Sequence, residues 1–138
     1  MPNSEGDNPV HKLVNLILLD SIKKAARRIV IDTDASGEYA ISVESGGVLR
    51  KMMTPPLSVR EAIRDRLLEM AEAPLPRPGE ASVGRIHISL RASQTDAFFD
   101  LALLPGSGHR LVLLCRGDTP PSGPPRLDMF AEKPLPSA

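Results

Sequence analysis

The uneven spacing of prolines sets the strongest limit on how this chain can fold. Many of its 14 prolines follow Thr119, in a stretch otherwise made largely of glycines and small polar residues. Such a segment buries too little apolar surface to offset the entropy lost on ordering. We therefore predict a disordered N-terminus at residues 1–8, one folded domain at residues 9–116 and a proline-rich disordered tail at residues 117–138.

Composition limits the class of partner. With 138 residues, 41% of them hydrophobic, the chain can build one modest core. Lysine plus arginine equals aspartate plus glutamate at 17 each, so no surplus positive charge favours nucleic acid as the partner. Cys115 is the single cysteine and lies in an apolar run, which predicts a buried thiol. No stretch is long and apolar enough for a membrane span or a leader, and we expect a cytoplasmic protein.

The first half of the domain has the pattern of a helix followed by three short strands. Asn8 and Pro9 are typical of a helix start, and the helix is predicted to run to about Ala26. Its apolar residues include Leu13, Val14 and Ile17 on one face, while Leu16 and Leu19 extend beyond that face, so we expect burial on more than one side. The three strand patterns are Arg28–Asp32, Glu38–Glu44 and Val48–Met53.

The second half repeats this order. Ser58–Glu61 has the spacing of a capping box, which predicts a helix from Val59 to about Glu72. Strand patterns follow at residues 85–91, 96–103 and 110–115, and the last is so uniformly apolar that we place it centrally in the sheet. Short turns between these strands favour an antiparallel arrangement. The sequence thus predicts an α+β domain of the order helix-βββ-helix-βββ with a mainly antiparallel sheet.

The candidate catalytic motifs of the sequence are each explained better by a structural role. Gly106–Arg110 lacks the lysine of a phosphate-binding loop and precedes a strand. Ser21 has the S-x-x-K spacing of acylating enzymes without their companion motifs, and a local hydrogen bond accounts for a serine on a buried helix face. His11, His87 and His109 are far apart in sequence and lack the partners of a zinc site. We predict no catalytic residue, no cofactor and no metal site.

Several short segments of the sequence resemble those of a known domain. The most specific is the opening helix, Asn8–Leu19, followed by Arg28–Asp32, Gly47–Leu49 and Gly84–Ile86 in the same order. From about Asn8 to Arg116 the chain resembles the second N-terminal domain of the GspE/PulE/PilB superfamily of type II secretion and type IV pilus assembly ATPases. The resemblance implies a small two-layer, PAS-like sandwich. No Walker motif fits after Arg116, so we expect no ATPase domain.

In that family, arginines of this domain can reach a nucleotide held by the neighbouring ATPase domain. Arg85 keeps the first such position and is the nucleotide-contact candidate. Asp100 stands at the second position, where a carboxylate would repel phosphate. The resemblance therefore supports the fold and argues against inherited phosphate contact.

The resulting hypothesis is a non-catalytic adaptor or regulator that binds a secretion or pilus motor component, or another copy of itself. The alternative is a sensory module that holds a small ligand or nucleotide in the PAS-like layer; an evolutionary remnant or an excised domain is the third. Within the tail, Leu127, Met129 and Phe130 form an apolar cluster. We predict that this cluster is a docking peptide for a partner, with folding back onto the domain's own sheet as the other possibility.

Overall fold

The structure, a computed structural model, describes residues 8–33, 36–105 and 110–130. Within these ranges, two helices lie over one six-stranded antiparallel sheet. The helices are α1 (Pro9–Lys23) and α2 (Arg60–Ala71). The strands are β1 (Arg28–Thr33), β2 (Tyr39–Ser45), β3 (Val48–Met53), β4 (Ser82–Leu90), β5 (Thr95–Leu104) and β6 (Arg110–Cys115). This order confirms the α+β class.

The sheet joins its two halves in the middle. Its strand order is β3-β2-β1-β6-β5-β4, and all neighbouring strands run antiparallel. At the centre, Ile29 of β1 lies opposite Leu113 of β6. The central place of β6 confirms what its uniformly apolar sequence predicted, and β3 and β4 form the two edges of the sheet.

Helix α1 begins as its sequence predicts and ends earlier. The Asn8 side-chain oxygen Oδ1 accepts hydrogen bonds from the backbone N–H groups of Val10 at 2.8 Å and His11 at 3.4 Å, with Pro9 as the first helical residue. The helix stops at Lys23 because Ala25 adopts a positive φ of 52°, which helical backbone excludes.

One face of α1 packs on the sheet as expected. Val14, Ile17 and Leu18 are at most 1% exposed, whereas Leu13 is only partly buried at the border of the core. The Ser21 hydroxyl is buried and donates to the Leu18 carbonyl at 2.7 Å. A local hydrogen bond is therefore sufficient to explain this serine.

The predicted capping box of α2 does not form. A 3₁₀ turn at Leu57–Val59 precedes the helix, and the Val59 N–H donates to the Pro56 carbonyl at 3.1 Å. Val59 is the N-cap residue, with no side-chain hydrogen bond to the helix start. The Ser58 side chain therefore does not cap the helix as predicted. Backbone hydrogen bonding of the 3₁₀ turn leads into the helix instead, which begins at Arg60.

The C-terminal end of α2 lies very close to β4. Glu72 ends the helix in the left-handed conformation, with φ at 53°. A Cβ atom built on Gly84 of β4 would lie 2.4 Å from the Ala71 carbonyl oxygen and 2.9 Å from the Cβ atoms of Ala71 and Ala73. Only glycine allows the helix end to rest on the strand at this distance.

The two faces of the sheet differ. The face toward the helices carries the main core, which includes Ile29, Ile31, Phe99, Leu101 and Leu113. The opposite face, called the outer face below, carries a smaller cluster centred on Ala102, Val112 and Phe130. Among the described residues, no helix has the length and apolar character needed to cross a membrane.

Candidate functional site

A buried ionic cluster lies on the outer face. Arg85 in β4 is paired across the strands with Asp100 in β5. The Arg85 Nε atom lies 2.6 Å from Asp100 Oδ1, and its Nη2 atom lies 3.3 Å from Oδ2. Arg116 approaches the same carboxylate, with its Nε atom 3.5 Å from Oδ2. The Asp100 side chain is 0% exposed, so two arginines neutralise one buried carboxylate.

This geometry bears on the nucleotide-contact candidate. Asp100 was expected to repel phosphate. The structure shows that its carboxylate also accepts hydrogen bonds from two of the three guanidinium nitrogens of Arg85, Nε and Nη2. A phosphate group that reached Arg85 would have to replace a charge-assisted, two-pronged contact. The arrangement is better suited to holding the sheet face together than to receiving an anion.

The remaining guanidinium nitrogen of Arg85 holds residues 117–130, called the strap below. Arg85 Nη1 donates to the Gly123 carbonyl at 2.8 Å. At the start of the strap, the Phe98 N–H donates to the Gly117 carbonyl at 2.9 Å, which extends the pairing between β5 and the chain after β6. The strap therefore lies against the outer face of the sheet.

Phe130 at the end of the strap is buried against the sheet. It is 3% exposed and packs with Ala102 and Val112. Around these three lie partly buried apolar side chains of the sheet and the strap, namely Val83, Leu104, Leu114 and Met129. Burial of a phenylalanine removes a large apolar area from water, which explains how a proline-rich segment can be held in place.

The three residues predicted to dock onto a partner all lie in the strap. Phe130 and Met129 contact the domain's own sheet, as in the fold-back possibility, and Leu127 is 48% exposed. Apolar residues of the outer face offer Phe130 a site, and the disordered tail at residues 117–138 stays a prediction. Residues 131–138 and 1–7 lie outside the described residues. Partner binding through Leu127, Met129 and Phe130 stays a prediction, and it requires the strap to leave the sheet.

Phe130→Ala should loosen the strap. Truncating a buried phenylalanine in a core lowers the free energy of unfolding by about 3–5 kcal/mol. In this position the loss affects only the free energy that holds the strap on the sheet. We expect trypsin to cleave after Arg126 about tenfold faster or more, since every 1.4 kcal/mol is a factor of ten. Leu127→Ala, at a half-exposed position of the same turn, is the control and should change little. Equal cleavage of the wild type and Phe130→Ala would show that Phe130 does not hold the strap.

The described histidine, aspartate and cysteine groups outside the buried ionic cluster do not form a catalytic arrangement. His87 Nε2 lies 3.0 Å from Asp96 Oδ1, and this hydrogen bond lowers the pKa of Asp96. Burial raises the pKa of the Cys115 thiol to about 11, which disfavours the nucleophilic thiolate. Within residues 8–33, 36–105 and 110–130, no three histidine, cysteine or acidic side chains converge into a metal-binding group. His109 and the Gly106–Gly108 turn lie outside the described residues.

The exposed side of α1 also differs from what the sequence predicted. Leu16 and Leu19 were expected to be buried, but they are 55% and 40% exposed. The helix packs on the rest of the domain through one face only, because the sheet and α2 cover no more of it. The sequence signal for this exposed side was that the apolar residues of α1 extend beyond one helix face. Contiguous exposed apolar groups are typical of interaction surfaces.

The sequence of this chain is similar to parts of several known proteins. No family model matches the sequence. The chain is 36% identical to the type IV pilus assembly ATPase PilB of Myxococcus xanthus over 88 residues, which are 60% of this chain and 15% of that protein. It is 29% identical to the type II secretion system ATPase E of Vibrio cholerae over 111 residues, 80% of this chain and 22% of that protein.

The chain is homologous to part of the type IV pilus and type II secretion ATPases. A third relative, the type II secretion system protein E of Klebsiella pneumoniae, is 29% identical over 86% of this chain and 26% of its own length. The resemblance to the GspE/PulE/PilB superfamily is confirmed, and the chain spans 15–26% of the length of these three relatives.

Proposed function

We propose that this domain is a non-catalytic adaptor or regulatory module that binds, on the cytoplasmic side of the membrane, a protein component of a type IV pilus or type II secretion motor. The observation that carries the proposal is the similarity of 60–86% of this chain to a small part of such motor ATPases. A second copy of the chain is the other candidate partner.

The state of Arg85 supports binding through protein contacts. In the proposed role, the domain does not reach a nucleotide, because Asp100 and the Gly123 carbonyl occupy the Arg85 guanidinium. The exposed leucines of α1 instead offer apolar contact area. Apolar side chains of this kind favour association when binding removes them from water.

The packing of the interior favours this role over a sensory one. In the proposal the two layers are PAS-like, but the space between them is filled by side chains such as Ile17, Leu67, Phe99 and Leu101, each at most 1% exposed. A small-molecule site needs a concave space with convergent polar groups. The core residues that meet between helices and sheet are mostly apolar, and the buried Ser21 hydroxyl is already bonded to the Leu18 carbonyl.

Direct binding tests the proposal. The purified protein should bind the pilus or secretion motor ATPase encoded by the same genome with micromolar affinity, about −8 kcal/mol, when measured by calorimetry. It should not hydrolyse ATP, and its affinity for ATP alone should be no tighter than about millimolar. Absence of binding both to the motor ATPases and to itself at about 100 μM would overturn the proposal.

A further inference from the structure

Four exposed side chains of α1 form one line along the helix. Leu16 and Leu19 are separated by three residues, Lys12 lies four residues before Leu16, and Lys23 lies four residues after Leu19. Residues three and four apart share a helix face. Lys12 and Lys23 are exposed, as are the two leucines. We call these four residues the α1 stripe; it has an apolar centre between two positive ends.

A groove runs beside this stripe. It lies between α1 and the last residues of the edge strand β4, has a volume of about 390 Å³, and is lined by Asn15, Leu19, Ile88, Ser89, Leu90, Arg91 and Ala92. Ile88 and Leu90 are half-buried, and Arg91 is exposed. The groove thus adds an apolar wall and a third cation to the stripe.

The local charge differs from that of the whole molecule. The chain as a whole is neutral, but the stripe and groove carry Lys12, Lys23 and Arg91. The acidic residue of α1, Asp20, is paired with Lys24, whose Nζ atom lies 2.8 Å from Asp20 Oδ2. The surface is therefore complementary to an apolar segment flanked by carboxylates.

Two copies of the α1 stripe do not fit against each other. Antiparallel packing of two α1 stripes would bring Lys12 of one copy beside Lys23 of the other, and parallel packing would place each lysine beside its own equivalent. Like charges brought together across an interface oppose association. The concave groove also suits a rod-shaped ligand better than a flat surface.

We propose that the α1 stripe and its groove are the docking site for an acidic amphipathic helix of the motor protein. This inference rests on the proposed function, since it names the surface and the chemistry of the partner. The bound helix presents apolar residues at i, i+3 or i+4 and i+7 to Leu16, Leu19 and Ile88, and glutamates or aspartates at its edges meet the cations.

The test uses two probes, the purified motor ATPase and a synthetic helical peptide with leucines at those spacings and flanking glutamates. Leu16→Ala with Leu19→Ala should weaken both affinities about tenfold or more, because truncation removes apolar area that becomes buried on binding. Lys12→Glu with Lys23→Glu should have a similar effect, larger at low salt. Leu57→Ala with Leu75→Ala, at positions 55% and 61% exposed elsewhere on the chain, is the matched control and should leave both affinities unchanged.

The outcomes separate this inference from the proposed function. If the ATPase binds and the leucine pair does not affect its affinity, the surface assignment is wrong while the proposed function stands. If the ATPase does not bind but the peptide does, and only the α1 variants weaken it, the surface assignment holds without the proposed function. Leucine-dependent binding to phosphatidylglycerol vesicles, with no binding of either probe, would overturn the inference in favour of a membrane surface.

Discussion

Gly84→Ala is expected to lower the free energy of unfolding by about 3 kcal/mol or more, the upper end of what overpacking usually costs. The added methyl would lie 2.4 Å from the Ala71 carbonyl oxygen, and backbone cannot move aside as a flexible side chain can. The end of α2 would have to lift from β4, with loss of the contacts that bury Leu67, Leu68 and Ala71. Urea unfolding followed by circular dichroism measures the change.

Gly79→Ala is the matched control for this substitution. Gly79 has a φ of +84° and nothing within 4 Å of a built Cβ atom, so only backbone strain opposes the change. That strain costs about 1–2 kcal/mol for an alanine in the left-handed region. An equal loss of stability in both variants would show that α2 does not rest on β4 as closely as the structure has it.

Arg85→Ala is expected to cost about 3 kcal/mol, the lower end of what is lost when one partner of a buried ion pair is removed. Asp100 is fully buried and keeps only Arg116, whose Nε atom lies 3.5 Å away. Arg116→Ala should cost about 1 kcal/mol or less, because its side chain is 35% exposed and the geometry is poorer. Urea unfolding again provides the measurement.

A double-mutant cycle isolates the pair. Arg85→Ala combined with Asp100→Ala should cost less than the two single changes added together, since the double variant leaves no buried charge without a partner. Additive costs, or a loss within about 0.5 kcal/mol for Arg85→Ala, would contradict the buried pair. Arg85 would then be available on the outer face, and the nucleotide-contact interpretation would regain support.

The sequence predicted the architecture because periodicity reports which faces are covered. Strict alternation from Arg85 to Arg91 identified a strand with one covered and one solvated face. The apolar run of β6 identified a central strand, and Asn8 marked the start of α1. The prediction of a capping box at Ser58 was wrong, because a capping box is recognised from the spacing of two residues alone. That spacing does not reveal the 3₁₀ turn that begins after Pro56.

The site was harder to predict because it depends on pairs distant in sequence. The sequence analysis considered only how the Asp100 carboxylate would repel phosphate. It did not predict the ion pair with Arg85, which forms because the β4–β5 hairpin places the two residues opposite each other. The contact of Phe130 with Ala102 and Val112 could not be predicted, because the sequence of the tail does not show which residues of the sheet leave room for a side chain. Leu16 and Leu19 were assigned to a core because periodicity shows that a face is apolar and not what covers it.

The β1–β6 pairing at the centre of the sheet also determines when the domain can fold during synthesis. Partners such as Ile29 and Leu113 lie about 80 residues apart in the chain, and pairs so distant form slowly because closing a long loop costs entropy first. Until β6 has left the ribosome, β1 has one open edge with unpaired backbone groups. Such edges favour pairing with other chains, so the nascent first half, with α1 and β1–β3 already made, is the stage at which chaperone binding would matter most.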